Sequence, residues 1–239
     1  MFIGGYATIG GNYAVVSQPA FVFRSTDYLR DDQGRVVINR QTGFPLTDPN
    51  PRQFKRSQPK WILGINPSVN WNGFQLTAVG EYKGGHQAFH GAGPDMTWTG
   101  ILAATARNGR EPFVYPNSVY DDGTGKYVPN TNIAITDVNT FDVTTYRATG
   151  SNFLTSAASW RIREVSLSYE LPSNWLRGQP TVKGAVITLN ARNLALFLPK
   201  TNEFADPDFN FSTGNTSGVN NLQINPPTRI YGANVSITF

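Results

Sequence analysis

The sequence predicts an all-β protein, and within that class a sector of an antiparallel transmembrane β-barrel. Three observations carry the prediction. Apolar and polar residues alternate with a period of two through several runs. Charged residues make up 15% of the 239 residues, against roughly 25% in ordinary soluble domains, while aromatics reach 13%. Short turns alternate with long polar connections, the asymmetry of outer-membrane barrels.

The strands follow in chain order. Ala20–Tyr28 is rich in β-formers with looser alternation, and Val36–Asn39 reads as a short strand within a loop. From Trp61 to Trp71, Trp61, Leu63, Ile65, Pro67, Val69 and Trp71 share one face, opposite Ile62, Gly64, Asn66, Ser68 and Asn70. Asn72-Gly73 is a hairpin signal, since both residues accept positive φ. The alternation then resumes: Phe74, Leu76, Ala78, Gly80 and Tyr82 on one face, and Gln75, Thr77, Glu81 and Lys83 on the other. Each run approaches the roughly 9–11 residues of a membrane-spanning strand. A second hairpin joins Glu164–Leu171 to Ala185–Arg192 around Pro172 and Pro180. The last run sets Tyr231, Ala233, Val235, Ile237 and Phe239 against Gly232, Asn234, Ser236 and Thr238.

Two long connections separate these strands. Gly84–Phe153 holds no clean spanning strand, but Trp98, Ile101 and Leu102 have helical spacing, so a short helix is predicted between a capping Thr97 and Gly109. Leu198–Thr228 is rich in Asn, Asp and Gly. Five or six strands fall short of the roughly eight that close the smallest single-chain membrane barrels. An open sheet would leave unsatisfied edges in lipid. The expectation is one barrel portion over residues 1–239, continuing a longer chain upstream. The opening Met1-Phe-Ile-Gly-Gly-Tyr6 shows neither the basic nor the apolar region of a signal peptide.

Other classes fare worse. The net charge is +4, yet Lys and Arg are scattered; Arg52, Lys55, Arg56 and Lys60 form the tightest group, read as a loop flank rather than a nucleic-acid surface. There is no cysteine, which removes disulfides and thiolate sites. No apolar run of about 18 residues is present for a transmembrane helix. His86 and His90 read as loop histidines beside glycines, not as a metal pair. Asp206-Pro-Asp-Phe-Asn-Phe-Ser212 spaces oxygens like a calcium loop, but Phe211 replaces the turn glycine and Ser217 the bidentate acid; it reads as a solvated loop. No acid–base or nucleophile set is visible, so neither an enzyme nor a cofactor is expected.

Trp61, Trp71, Tyr82, Trp160 and Tyr169 lie near strand ends and are candidates for an aromatic girdle at the lipid headgroups. Glu81, Lys83, Glu164, Glu170 and Arg192 fall on polar faces and are the candidates for lumen-facing solute contacts. Arg161 and Arg163 share the parity of the apolar face and are expected at headgroup level, where long basic side chains reach water.

Several stretches resemble the C-terminal part of SusC/RagA-type TonB-dependent transporters of the Bacteroidota outer membrane. They are Ala158-Ser-Trp-Arg-Ile-Arg-Glu-Val-Ser-Leu-Ser-Tyr-Glu-Leu-Pro172, then Ala191-Arg-Asn-Leu194 followed by Leu198-Pro-Lys200 and Asp206-Pro-Asp208, and the closing Pro226-Pro-Thr-Arg-Ile-Tyr-Gly232 with Val235-Ser-Ile-Thr-Phe239. Asp208 stands where that family often has Glu. The resemblance implies a barrel of roughly 22 strands with a plugged lumen. It implies import of oligosaccharides or peptides and a SusD-like surface lipoprotein as partner, with Gly84–Phe153 and Leu198–Thr228 as extracellular loops. Coupling to the TonB complex would run through an N-terminal part and plug domain absent from this sequence. Tyr231, Val235, Ile237 and Phe239 would form the C-terminal signal read by the barrel-assembly machinery. A passive porin-type barrel and a soluble β-sandwich that binds carbohydrate are the competing readings.

Overall fold

The computed structural model describes residues 1–6, 9–176, 178, 181–202, 206–208, 214–221, 225 and 227–239. The chain forms two units. One gathers Met1–Gln58, Gln87–Thr155 and Asn210–Ile224; the other gathers Pro59–His86, Ser156–Phe209 and Asn225–Phe239.

The second unit is one antiparallel sheet. Its strands are β1 (Trp61–Ile65), β2 (Ser68–Trp71), β3 (Phe74–Gly84), β4 (Ser159–Glu170), β5 (Gly184–Phe197) and β6 (Ile230–Thr238). The order is β6-β5-β4-β3, with β1 and β2 end to end along the remaining edge of β3. These two are one strand interrupted at Asn66-Pro67: Trp61 pairs with Gly84, Ile65 with Gly80, Ser68 with Thr77 and Trp71 with Phe74, so the register is unbroken. Proline has no N–H to give to the ladder, yet the Pro67 carbonyl still accepts from Ala78 N at 3.1 Å. Asn72 and Gly73 take φ of 46° and 84°, the tight turn predicted for them.

Cross-strand pairing sorts the side chains into two faces. Phe74, Leu76, Ala78, Gly80 and Tyr82 of β3 lie opposite Tyr169, Leu167, Val165, Ile162 and Trp160 of β4. Ile187, Leu189, Ala191 and Phe197 of β5 continue these rows, followed by Val235, Ala233 and Tyr231 of β6. Leu76, Leu167, Leu189, Val235 and Ile237 are all exposed. A contiguous apolar face of this kind is a surface built to meet another apolar medium or partner. Phe74 stacks on Tyr169 with centroids 4.3 Å apart, and Tyr82 leans on Trp160 at 4.9 Å. These aromatic pairs lie eight residues apart along β3, about 27 Å at roughly 3.4 Å per residue. A strand tilt of about 40° would reduce this to roughly 20 Å, close to the height of an outer-membrane apolar band.

The first unit consists of short strands and turns. Val22–Ser25 is the core of the strand predicted at Ala20–Tyr28, and Val36–Val37 that predicted at Val36–Asn39. Phe23, Phe89, Phe153 and Val219 are buried, with Phe89 edge-on to Phe153 at 6.5 Å. A second cluster packs Ile135, Val138 and Phe141 beneath Phe44, Phe113, Tyr115 and Tyr146. Asp27 is buried, accepting from Ser151 Oγ at 2.7 Å and Arg52 Nη1 at 2.9 Å. Although burial pushes its carboxyl up, those bonds hold it below the usual range. Gly150 allows close approach here: a Cβ would stand 1.8 Å from the Ile9 carbonyl oxygen.

Two expectations need correction. The helix predicted between Thr97 and Gly109 instead spans Gly93–Trp98. Pro94 lies in its first turn, and Thr97 is interior, donating its hydroxyl to Gly93 O at 2.8 Å. After Gly100 the chain makes 3-10 turns within Ala103–Arg110 that are interrupted at Arg107, Asn108 and Gly109, where the backbone leaves helical angles. Leu198–Thr228 is not simply a free loop either: Val219 and Asn220 pair with Phe89 and His90 and are buried.

The hairpin register gives a test. At Gly73 a new Cβ would meet a left-handed backbone and lie 3.3 Å from Glu170 O, whereas at Gly64 it would meet nothing within 4 Å. In denaturant titrations, Gly73→Ala should lower stability by about 1–2 kcal/mol and Gly64→Ala should leave the midpoint unchanged. Equal effects would show that the turn does not set the register.

Candidate functional site

The polar face of the sheet carries a charge network built around a β-bulge. Ile162 pairs with Gly80 of β3, but Glu164 pairs with Val79, so Arg163 is one residue too many for its partner strand. On the other side, Ile162 pairs with Ala195 and Glu164 with Arg192. Asn193 sits within this irregularity at φ 53°, a conformation asparagine tolerates better than most residues. A bulge changes the parity of everything beyond it. Arg161 therefore lies opposite Glu81 on the polar face. The headgroup-level expectation for Arg161 and Arg163 is thus overturned: simple alternation does not survive the extra residue.

Arg161 is only 3% exposed, so its guanidinium needs partners on every side. Its Nη1 donates to Asn193 Oδ1 at 2.5 Å, its Nη2 to Asp206, and its Nε lies 3.3 Å from Asp208 Oδ2. Arg163 Nη2 donates to Glu81 and to Asp208 Oδ2, the latter at 2.6 Å. Lys83 Nζ donates to Asp208 Oδ1 at 2.9 Å and lies 3.3 Å from Glu81 Oε1. Asp208 is thus held by three cations. Burial alone would raise its carboxyl, but Lys83 and Arg163, with the charge of Arg161, hold it below the usual carboxylate range. Nearby, Arg192 Nε is 3.2 Å from Glu164 Oε2. Beside the network lies a cavity of about 450 Å³ lined by Arg161, Arg163, Arg192, Asn193, Asp208 and Thr228. In its wall Arg161 and Arg163 are engaged by Asn193, Asp206, Asp208 and Glu81, while Arg192 is 61% exposed beside Glu164.

The structure joins Glu81 and Lys83 to this network and pairs Glu164 with Arg192. Glu170 sits on the same face near the Asn72–Gly73 turn, its N–H bonded to Gly73 O at 2.9 Å. Trp61 and Trp71 lie at opposite ends of the β1–β2 edge. Tyr231, Val235 and Ile237 share the apolar face of β6. Sequence reasoning missed Asp206, Asp208 and Asn193. The solvated-loop reading of Asp206–Ser212 is corrected at its first acids, which are clamped; Phe209–Ser212 lie outside the described residues. The available signal was a mismatch: basic residues on an apolar parity, with acids two apart further along. His90 ends the short strand Gln87–His90 and is buried. Its Nδ1 lies 2.9 Å from Asn220 Nδ2, and burial holds its pKa below the ordinary value.

No protein-family model matches the chain, and no curated protein does. Among solved structures, it is similar to the structure of the RagAB peptide transporter, with TM-score 0.55 and 18% identity over 92% of this chain and 23% of that one. The RagAB peptide importer in its "closed-closed" state gives 0.52 and 16% over 96% and 25%. Its "open-open" state gives 0.54 and 16% over 96% and 24%. At such identities the likeness is one of fold. The chain spans about a quarter of the length of these structures.

The clamp on Asp208 has a signed pH dependence. A carboxyl held below its ordinary 3.8 stabilises the fold above that value and loses the contribution as pH falls through the folded pKa. Asp208→Asn should therefore lower stability by about 1–3 kcal/mol at neutral pH. Denaturant midpoints measured across pH should show that deficit constant above about pH 5 and shrinking below pH 4. A deficit that grows on acidification would contradict the clamp.

Proposed function

We propose that this chain is a C-terminal sector of the β-barrel of a SusC/RagA-type, TonB-dependent outer-membrane transporter. In this reading the apolar face of the sheet meets lipid, and the face with Glu81, Lys83, Arg161, Arg163, Glu164, Glu170 and Arg192 lines the solute path. The observation that carries it is the division of one sheet between an exposed apolar face and a connected ionic face. A soluble sandwich buries the apolar face of such a sheet against a second sheet. The structural likeness to the RagAB transporter supports the same reading, as do the short connections at one end of the sheet and the long ones at the other.

The transported solute would be an oligosaccharide or a peptide, and a SusD-like lipoprotein would cover the extracellular side. Strands outside this sequence would pair with the free edges at β1–β2 and β6, because lipid leaves no backbone donor unsatisfied. The TonB complex would act through a plug encoded elsewhere in the longer protein. Phe239 and the apolar face of β6 would be read by the assembly machinery.

The absence of cysteine makes the test clean, because any introduced thiol is the only one in the chain. Leu189→Cys and Asn190→Cys are adjacent on β5 and lie on opposite faces. In outer-membrane preparations, a membrane-impermeant maleimide should label Asn190→Cys at least tenfold faster than Leu189→Cys, and a lipid-soluble maleimide should reverse the order. Equal labelling of both positions by the impermeant reagent would defeat the membrane reading.

A further inference from the structure

The apolar face of the sheet finishes differently at its two ends. At the end that carries the long connections, exposed cations stand beside exposed aromatics. Lys60 immediately precedes Trp61 of β1, Lys200 follows Phe197 of β5 by three residues, and Arg229 precedes Tyr231 of β6 by two. Trp61, Phe197 and Tyr231 are 61%, 59% and 68% exposed. The three cations are exposed as well, and among the described residues none of them forms an ion pair. Lys60 is also the last member of the tightest basic group in the sequence, after Arg52, Lys55 and Arg56. Its Nζ lies 5.1 Å from the centroid of the Trp61 ring, and its backbone N–H donates to Gly84 O at 2.9 Å. The charge is thereby held over the indole instead of swinging freely.

The acids at this end of the sheet are committed elsewhere. Glu81, Asp206 and Asp208 are bound to Lys83, Arg161 and Arg163 on the opposite, ionic face. The end with the short turns is balanced: Glu170 is exposed there, and Lys183, also exposed, donates its Nζ to Phe239 O at 3.2 Å. Among the described residues, the apolar face is therefore rimmed by net positive charge at one end only.

We propose that this rim binds the phosphate groups of lipid headgroups in the leaflet that covers that end of the sheet. The proposal rests on the membrane reading of the sheet given above. Long basic side chains lay their stems along apolar surface and keep their charge at headgroup level. Aromatic rings beside them favour the same level. A lipid phosphate supplies the anionic oxygens that Lys60, Lys200 and Arg229 lack, in charge-assisted bonds. Lys60 adjoins one edge strand and Arg229 the other, four strand spacings away in the order of the sheet, roughly 19 Å at about 4.8 Å per strand. That width takes more than one headgroup. Free phosphate would match the charge and leave the apolar face bare, whereas a phospholipid matches both. A zwitterionic headgroup brings its own cation beside the phosphate, so an anionic lipid is the better partner.

The full-length protein, extracted from outer membranes in a nonionic detergent, tests this by native mass spectrometry during titration with dimyristoyl phosphatidic acid, dimyristoyl phosphatidylcholine or inorganic phosphate. Phosphatidic acid should bind saturably and at least tenfold more tightly than phosphatidylcholine, with inorganic phosphate weaker than either. Lys60→Gln and Arg229→Gln should each weaken phosphatidic acid binding at least threefold. Lys60→Arg should retain it, and so should Lys126→Gln, which removes an exposed lysine of the first unit. All four positions are exposed, so the variants should keep the two-faced labelling of β5. Equal affinity for the two lipids, or phosphatidic acid binding that survives both Gln substitutions, would overturn the proposal. So would tighter binding of inorganic phosphate than of phosphatidic acid, which would mark a site for soluble anions. Any of these results with β5 labelling intact removes the lipid site and leaves the membrane reading standing; loss of two-faced labelling in the unsubstituted protein removes both.

Discussion

The polar face of the sheet depends on one extra residue. Without the bulge at Arg163, strict alternation would send Arg161 to the apolar face that carries Val165, Leu167 and Tyr169. In the membrane reading proposed above, an arginine on that face at mid-depth would cost about 2–4 kcal/mol. With the bulge, Trp160 and Ile162 stay in the apolar rows while Arg161 turns inward to Asp206, Asp208 and Asn193. The same irregularity places Asn193 at positive φ. There its carboxamide receives Arg161 and donates to Thr228 O at 3.2 Å. One backbone irregularity thus keeps the apolar and ionic faces of the sheet apart and fastens a loop to the ionic one.

What the sequence showed depended on the range of the interaction involved. The hairpin around Asn72-Gly73 was legible almost residue for residue, because turn chemistry and a period of two are local. The faces of β5 and β6 were legible for the same reason. The bulge was not, since alternation before and after it looks continuous: Arg161, Arg163, Val165 and Leu167 differ by two throughout. Only pairing with β3 shows that Arg163 has no opposite residue. The clamp on Asp208 was hidden more deeply. Its cations lie 125 and 45 residues away in the chain, a separation no short motif spans.

The long connections were hard to read for a further reason. The first unit takes its core from three separated pieces of chain, with Phe23, Phe89, Phe153 and Val219 meeting from each of them. Its strands run only two to five residues. At that length neither a helical nor a strand period can be established. Aromatic packing replaces long ladders. Phe141 makes edge contacts with Phe44, Phe113, Tyr115 and Tyr146, while the Arg107 guanidinium lies 4.2 Å from the Tyr146 centroid. Such clusters hold irregular backbone rigid without leaving a periodic trace.

The balance of the ionic network bears on what the polar face could do in the transport proposed above. Arg161, Arg163 and Lys83 are matched by Glu81, Asp206 and Asp208, so the group carries no net charge and exerts little long-range pull on a passing anion. The internal bonds occupy the donors that would otherwise hold a solute tightly. Arg192 is different: its side chain is 61% exposed and it meets only a half-exposed Glu164 at 3.2 Å, a pair weakened by water. In the transporter reading proposed above, the neutral ionic cluster would act as a fixed base and the more exposed Arg192–Glu164 pair would make the exchangeable contacts.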